Sequence, residues 1–394
     1  MDTSVHPLNP GSAVPTGSAV PGVGAAVREQ SESSLTQSQV DYLDLIRAVA
    51  ANLVVLEHIS RIFNTSAKIE FGTLGVTIFF ILSGFLIFMS AYRRIGSPRV
   101  EFFNFMAERT ARIFVPYIPA LIVVTAINAF VDIGHWGLPG VNTGPAAFFA
   151  NLFMLQDYPV FQALTHLPGK IDFHLRAYNG AEQLWTIPIE YWLYTSFALV
   201  MFCFFKRERI NGWVVAIAAM VSTPVVIWNS FAGVGDDLSL IWILGALIGY
   251  LWVTKIQMID RPRLVGSALI VFGVIGVAGR IMQRGFSPYE FQTTVFICCM
   301  IVGGLLFVRR PVWPAAFGQF AGFLASYSYS LYLVHNVILI FFGVKLSAQL
   351  GSFAPWVAFI AAHAVAYTIY ILFERHHKKV ARYLKAQIAR TRGV

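Results

Sequence analysis

Ionisable side chains inside an apolar stretch near the start of the chain are the residues best suited to do chemistry. Arg47 and His58 stand eleven residues apart in YLDLIRAVAANLVVLEH, and Asp44 precedes Arg47 by three. In a helix, a separation of eleven residues leaves two side chains only about 20° apart around the axis and about 16 Å apart along it. Charged groups in hydrocarbon cost at least ~2.5–3.5 kcal/mol each, so a polar stripe that spans most of the bilayer favours a functional role. The structural alternative is an Asp44–Arg47 pair and a hydrogen-bonded histidine that only hold helices together.

Glu190 is a second ionisable group in an apolar segment, AEQLWTIPIEYWLY. A helix that starts near residue 184 and runs inward places this carboxylate about two turns below the outer surface, close to the depth of His58. Pro188 removes a backbone hydrogen bond there and leaves a carbonyl of the preceding turn free. A structural glutamate–arginine pair is the alternative. His335 and His363 also lie in apolar segments, and for each alone a hydrogen-bonded core role competes with catalysis.

Arg109 and Arg112 form a basic pair in FFNFMAERTARIFVPY. Residues three apart share a face of a helix, and two planar guanidinium groups on one face suit a phosphorylated ligand that arrives from the cytoplasm. Topological anchoring by positive charge is the competing explanation. No set of His, Cys and Asp has the helical spacing of metal ligands, and His376 and His377 belong to a basic tail, so no metal site is expected.

Helices in a membrane must position these groups, because the composition does not suit a water-soluble fold. Of 394 residues, 57% are hydrophobic and 12% charged, and the mean hydropathy is +0.64, whereas soluble proteins carry about 25% charge. The three cysteines lie in apolar segments, which excludes a disulfide scaffold. The prediction is an all-α polytopic membrane protein with about ten transmembrane helices, each close to the ~20 residues that cross a bilayer. The predicted spans are 42–62, 72–92, 113–131, 184–205, 212–231, 238–254, 264–280, 290–308, 318–342 and 354–374.

The distribution of basic residues predicts the orientation. With the N-terminus placed inside, 21 of the 29 Lys and Arg residues fall on the inner side and seven on the outer side. This bias predicts both termini in the cytoplasm and a multi-pass protein of the cell inner membrane. The net charge of +9 therefore reflects topology, so membrane lipid is an expected partner and nucleic acid is not.

Three regions are expected along the chain. Residues 1–40 are rich in Pro, Gly and Ser without apolar periodicity, which predicts a disordered cytoplasmic tail. Residues 41–375 form the predicted transmembrane domain, with an outer loop at about 132–183, and loops of that length are usually functional or disordered. Residues 376–394 form a predicted basic cytoplasmic tail.

Five motifs occur in order along the chain: the Arg-x10-His pattern of the first helix, GTLGVTIFFILSGFLI, RTAR, LWTIPIEYW and SYSLYLVH. In this order the chain resembles the membrane acyltransferase-3 family, and the resemblance covers about residues 40–375. It implies ten or eleven helices and the acylation of surface polysaccharides, nodulation factors or macrolides. Two features depart from the family pattern, namely Thr186–Ile187 in place of a Ser–Leu pair, and Pro188.

The resemblance implies roles for the residues described above. It implies an O-acetyltransferase whose donor, acyl-CoA and most simply acetyl-CoA, binds from the cytoplasm with its phosphates near Arg47, Arg109 and Arg112. The acceptor is expected to be an extracytoplasmic glycan or a lipid-linked sugar. His58 acts as general base on the acceptor hydroxyl or carries the acyl group, while Glu190 orients the imidazole or stabilises its charged form. Substrate-binding or supporting roles are expected for Glu57, Ser83, Tyr332 and His335, with Gly84 beside Ser83.

Alternative functions stay open on the sequence alone. A proton-coupled secondary transporter would use Glu57, His58 and Glu190 as a relay, although the chain shows no internal repeat. A macrolide-type small-molecule O-acyltransferase and a membrane assembly partner without chemistry are the others. The absence of His-x4-Asp and Asp-His-His-Cys runs disfavours glycerolipid and protein-palmitoylating acyltransferases, whereas His335 could stand for the histidine of membrane-bound O-acyltransferases.

Overall fold

A computed structural model describes most of the chain, and every regular element in the described part is a helix, which confirms the predicted all-α class. Of the predicted tail 1–40, residues 1–34 lie outside the described residues. Residues 132–143, 166–174 and 179 of the predicted outer loop do so as well. The described residues are 35–64, 71–97, 99, 101–131, 144–165, 175–178, 180–232, 237–255, 258–285, 287–310 and 312–392.

The α-helices of the described chain are labelled in order. They are α1 (Gln37–Ile62), α2 (Gly72–Tyr92), α3 (Glu101–Val131), α4 (Pro145–Leu152), α5 (Pro159–Thr165), α6 (Thr186–Ala198), α7 (Gly212–Phe231), α8 (Leu238–Lys255), α9 (Pro262–Arg284), α10 (Phe291–Phe307), α11 (Ala315–Ser326), α12 (Ser328–Phe341), α13 (Ser347–Leu350), α14 (Ala354–Leu372) and α15 (His377–Arg392). Tighter 3-10 turns lie at Glu182–Trp185, Gly351–Phe353 and Glu374–His376, and wider π-helical turns at Leu199–Phe205 and Phe342–Leu346.

Seven helical stretches of the described chain are long and apolar enough to cross a membrane, with the consecutive helices of Ser328–Arg392 taken as one stretch. Helix α10 is apolar but has only 17 residues. Helix α1 has 26 residues and carries several charged side chains. The predicted count of ten spans and the predicted orientation of both termini stay predictions.

Helix α3 begins at Glu101, well before the predicted span 113–131. A carboxylate from the segment after α6 supports this early start, because Glu208 accepts hydrogen bonds from the backbone N–H groups of Glu101 (2.7 Å) and Phe102 (3.0 Å). The first N–H groups of a helix lack partners within the helix, and a negative charge there is favourable. The extension places Arg109 and Arg112 within a continuous helix.

The predicted span 318–342 is divided into α11 and α12 at Tyr327, whose backbone angles (φ −112°, ψ 9°) are not helical. The serines on both sides bond to the preceding turn: Ser326 Oγ donates to Phe323 O (2.7 Å) and Ser328 Oγ to Ala325 O (2.8 Å). Serine hydroxyls compete with the helical ladder in this way. The break makes α12, which carries SYSLYLVH, a helix separate from α11.

Helices α1, α2 and α12 pack together, and α2 also packs closely on α8. A Cβ atom on Gly84 would collide with the carbonyl oxygen of Trp242, and one on Gly245 with that of Ile81. Small residues at such positions let two helix backbones approach. The approach brings the indole of Trp242 to Ser83, to which its Nε1 donates a hydrogen bond of 3.1 Å.

The predicted basic tail 376–394 is largely helix α15, and it packs on α3. Lys385 pairs with Glu108, and the guanidinium carbon of Arg392 lies 3.9 Å from the ring centroid of Phe103. The end of the chain is therefore docked on the helix that carries the basic pair.

Candidate functional site

A cavity of about 350 Å³ opens among helices α1, α2, α3, α6 and α12. Six of the residues singled out from the sequence line it. They are Arg47, Ser83, Arg109, Arg112, Glu190 and Tyr332. These positions are spread over nearly the whole chain, so the helix packing brings the separate motifs to one place.

Two of the three cavity arginines lie within hydrogen-bond distance of a carboxylate. The Nη1 atom of Arg47 lies 3.0 Å from Asp44 Oδ1, which is the pair that the sequence spacing suggested. The Nη1 atom of Arg112 donates a hydrogen bond of 2.6 Å to Glu374 Oε1. Glu374 is fully buried, and it also accepts from the hydroxyl of Ser330 at 2.6 Å. The charge of Arg112 is thus balanced inside the protein.

Arg109 is the least satisfied of the three. Its Nη2 atom lies 3.6 Å from Glu108, a carboxylate that also pairs with Arg94 and Lys385. The Nε of Arg109 is buried and has no hydrogen-bond partner among the described residues. An unpaired buried N–H group costs about 1–3 kcal/mol, so this guanidinium is poorly compensated within the described residues.

Glu190 belongs to a hydrogen-bonded cluster on the cavity wall. Ser83 Oγ donates to Glu190 Oε1 at 2.9 Å, and the hydroxyl of Tyr194 donates to the same oxygen. Ser83 Oγ and the Tyr194 hydroxyl are also 2.8 Å apart. Sequence reasoning missed Tyr194, although its position four residues after Glu190 in one helix places both on the same face.

His58 meets a different set of partners. Its Nδ1 atom lies 2.8 Å from Asn336 Oδ1 and 3.2 Å from His335 Nε2, and the two imidazole centroids are 4.8 Å apart. Glu190, the orienting carboxylate expected from the sequence, bonds instead to Ser83 and Tyr194. The imidazole is oriented by neutral groups of α12, and sequence reasoning did not single out Asn336.

Tyr332 lies on the cavity wall and next to one of the two histidines. Its side chain lines the cavity, and its ring centroid lies 6.0 Å from that of His335. The Tyr332 and Thr186 hydroxyls are hydrogen-bonded at 2.8 Å. Thr186, one of the departures from the family pattern, therefore still supplies a hydroxyl at this position.

Glu57, adjacent to His58, contacts the start of α2. Its Oε2 accepts a hydrogen bond of 2.5 Å from the backbone N–H of Gly72, the first residue of that helix. A carboxylate at a helix N-terminus is stabilising, which gives Glu57 a structural contact next to its expected supporting role. No group of three or more His, Cys, Asp or Glu suited to hold a metal ion occurs among the described residues.

The chain is similar to a known protein family and to several known proteins. The acyltransferase domain family matches residues 40–375. The exopolysaccharide production protein ExoZ of Rhizobium meliloti (strain 1021) is 25% identical over 327 residues, which cover 79% of this chain and 91% of ExoZ. Nodulation protein 10 of Rhizobium leguminosarum bv. viciae is 26% identical over 45% of this chain and 49% of that protein. The O-acetyltransferase OatA of Staphylococcus aureus (strain NCTC 8325 / PS 47) is 23% identical over 76% of this chain and 50% of OatA.

The chain therefore spans about half the length of the last two relatives. No solved structure matches the chain.

Proposed function

The chain belongs to the acyltransferase-3 family and is a membrane O-acyltransferase, and we propose that it moves an acetyl group from acetyl-CoA in the cytoplasm to a hydroxyl of an extracytoplasmic glycan or lipid-linked sugar. The name of one relative, an exopolysaccharide production protein, supports the glycan acceptor, and the name of another, an O-acetyltransferase, supports the acetyl group. The proposed location is the cell inner membrane, with the donor and the acceptor arriving from opposite sides.

One observation supports this proposal above the others: a single cavity is lined by three arginines, and Tyr332 on its wall lies beside His335 of a buried pair of histidines. CoA carries several phosphate charges, and guanidinium groups bind phosphate through charge-assisted hydrogen bonds. Arg109, with its unpaired Nε, is the first candidate for that contact. Arg47 and Arg112 add positive charge to the same wall while they are paired with Asp44 and Glu374.

In the proposed reaction, the imidazole of His58 takes the proton of the acceptor hydroxyl as its oxygen attacks the thioester carbonyl carbon. The new C–O bond forms, the C–S bond breaks, and CoA leaves as a thiolate that recovers the proton from the imidazolium. A two-step route through acetyl-histidine has the same overall balance. Glu190 fixes the hydroxyls of Ser83 and Tyr194 on the wall that faces the donor.

Two measurements test the proposal. Purified full-length protein in detergent should release CoA from acetyl-CoA, and His58→Ala should not, whereas a proton-coupled transporter would release none. Mass spectrometry of surface glycans from a deletion strain should show the loss of acetyl groups, restored by the wild-type gene and not by His58→Ala. An unchanged set of acetylated glycans, together with no CoA release, would remove the proposed function.

A further inference from the structure

The imidazole of His58 is held at one nitrogen by two neighbouring residues of α12. Asn336 Oδ1 lies 2.8 Å and His335 Nε2 lies 3.2 Å from the same atom, His58 Nδ1. His335 is fully buried, and Asn336 and His58 are nearly so. A buried cluster of this kind permits only certain positions for its hydrogen atoms, and those positions can be deduced from the neighbouring groups.

The proton on His335 is located by backbone carbonyls. Its Nδ1 atom lies 2.9 Å from Tyr332 O and 3.1 Å from Leu331 O, and both oxygens are only acceptors. Nδ1 must therefore carry the hydrogen. In a neutral imidazole the other nitrogen is then an acceptor, so His335 Nε2 presents a lone pair to His58.

The amide of Asn336 is oriented in the same manner. Its Nδ2 donates a hydrogen bond of 2.8 Å to the backbone oxygen of Gly180. The reversed amide would set two oxygens against each other at that distance, so Oδ1 is the atom that faces His58. Both neighbours of His58 Nδ1 are thus acceptors, and Nδ1 must be the donor.

We propose that Asn336 and His335 are positioning residues that hold His58 in one tautomer, with the hydrogen on Nδ1 and the lone pair on Nε2 directed away from them to accept the proton of the substrate hydroxyl. This inference rests on the proposed function for its purpose, but its geometry does not. In the serine protease triad a buried aspartate sets the histidine tautomer, and the wrong tautomer costs about 10⁴-fold in kcat. Here the same task falls to an amide and a second imidazole.

The link to Gly180 couples this arrangement to the segment before α6. Among the described contacts, Asn336 bonds to that segment through its amide nitrogen, which donates to Gly180 O, and His335 does not. Gln183, three residues further on, also bonds to α12, because its Nε2 donates a hydrogen bond of 2.7 Å to Leu333 O. The backbone that leads into the Glu190 helix is therefore anchored on the same element that orients His58.

Nitrogen NMR tests the tautomer directly. Full-length protein with ¹⁵N-labelled histidine is prepared in detergent, and the His58 signals are identified among the nine histidines by their loss in His58→Gln. The ring nitrogens of a neutral imidazole differ in chemical shift according to which one carries hydrogen. We expect a protonated Nδ1 in the wild type and a mixture of tautomers in Asn336→Leu and His335→Phe. A wild-type Nε2–H tautomer, or a tautomer unchanged in both variants, overturns the proposal.

Kinetics separates positioning from a general loss of folding. Both variants should lower kcat for acetyl-CoA hydrolysis by on the order of 10²-fold, with an unchanged KM for acetyl-CoA, since the cavity arginines are intact. His363→Phe is the matched control, because this partly buried histidine of α14 contacts Tyr327 and not His58. A KM increase in step with the kcat loss would mean that the variants disturb the cavity, and would count against positioning. Absence of hydrolysis in the wild type, together with unchanged glycan acetylation in the deletion strain, would contradict the proposed function, while the NMR result would still decide the tautomer.

Discussion

The arginines of the cavity differ in what balances their charge. Arg112 faces a fully buried carboxylate, Arg47 has the largely buried Asp44, and Arg109 shares Glu108 with two other cations. A buried ion pair is costly to break from one side, since the remaining charge stays in a poor solvent. The sequence alone does not distinguish Arg109 from Arg112, whereas their partners differ: Arg112 is paired with Glu374 and the Nε of Arg109 has no partner among the described residues, so we propose ligand binding for Arg109.

Substitutions at these two arginines should therefore have different effects. Arg109→Gln should weaken acetyl-CoA affinity by roughly 10- to 100-fold, the equivalent of a charge-assisted hydrogen bond, and added salt should reduce the wild-type affinity as well. Arg109→Lys keeps the charge without the fork and should recover only part of the loss. Arg112→Gln should instead cost ~3–5 kcal/mol of stability, because it leaves Glu374 buried and unpaired.

Calorimetric titration with acetyl-CoA and thermal unfolding of the detergent-purified variants measure the two effects. The double variant Arg112→Gln/Glu374→Gln should restore stability, and Arg310→Gln, an exposed arginine outside the cavity, serves as the control. If the stable double variant loses donor affinity as completely as Arg109→Gln, then Arg112 contacts the donor directly.

His58→Ala should abolish transfer while the protein stays folded and binds donor. Loss of a general base typically costs 10²–10⁴-fold, and loss of a covalent carrier could cost more. Glu190→Gln should impair turnover less, because the amide oxygen can still accept from Ser83 and Tyr194. CoA release and surface acetylation measure both variants, with size-exclusion profiles to verify folding. Near-normal acetylation with His58→Ala would show that His58 is not the catalytic histidine, and His335 would become the first candidate for that role.

Individual helices decide where these side chains point. The break at Tyr327 separates α12 from α11, and the faces of α12 then meet both the cavity, through Tyr329 and Tyr332, and the first helix, through His335 and Asn336. Helix α3 also positions side chains of the site, because its early start at Glu101, capped by Glu208, places the basic pair inside a regular helix.

The cap on α3 gives a prediction at this scale. Glu208→Ala removes both bonds to the start of the helix and the 2.8 Å pair with Lys206, and should destabilise the protein by ~0.5–2 kcal/mol. Glu182→Ala is the matched control: its carboxylate is 65% exposed and pairs with Arg61, and exposed pairs contribute about 0–1 kcal/mol. Thermal unfolding in detergent compares the two variants. Equal midpoints would show that the cap contributes no more than a surface ion pair.

For the molecule as a whole, the distribution of basic residues predicts both termini in the cytoplasm and the 132–183 segment outside. Single cysteines at positions 140 and 390, in a background without the three native cysteines, report on this in intact cells. An impermeant thiol reagent should label position 140 and should label position 390 only after the cells are opened. Labelling of position 390 alone in intact cells would show that the orientation is the opposite of the predicted one.

Features that depend on local chemistry could be predicted from the sequence. Long apolar segments in a chain with few charges must form membrane helices, and the boundaries of α2 and α7 were predicted to the residue. Helical periodicity placed Arg47 and His58 on one stripe. The arginine pair and Glu190 were visible because charged groups in apolar segments are costly and hence conspicuous.

Which side chains contact one another across the sequence depends on the tertiary structure. Asn336 lies 278 residues from His58, and Glu374 lies 262 residues from Arg112, so no local pattern connects them. Such contacts depend on the rotation and crossing angle of whole helices, which are set by the packing of many side chains at once. For the same reason the sequence could relate Glu190 to His58 only by their similar depth. In the packed structure Glu190 accepts a hydrogen bond from Ser83, and the His58 imidazole contacts Asn336 and His335.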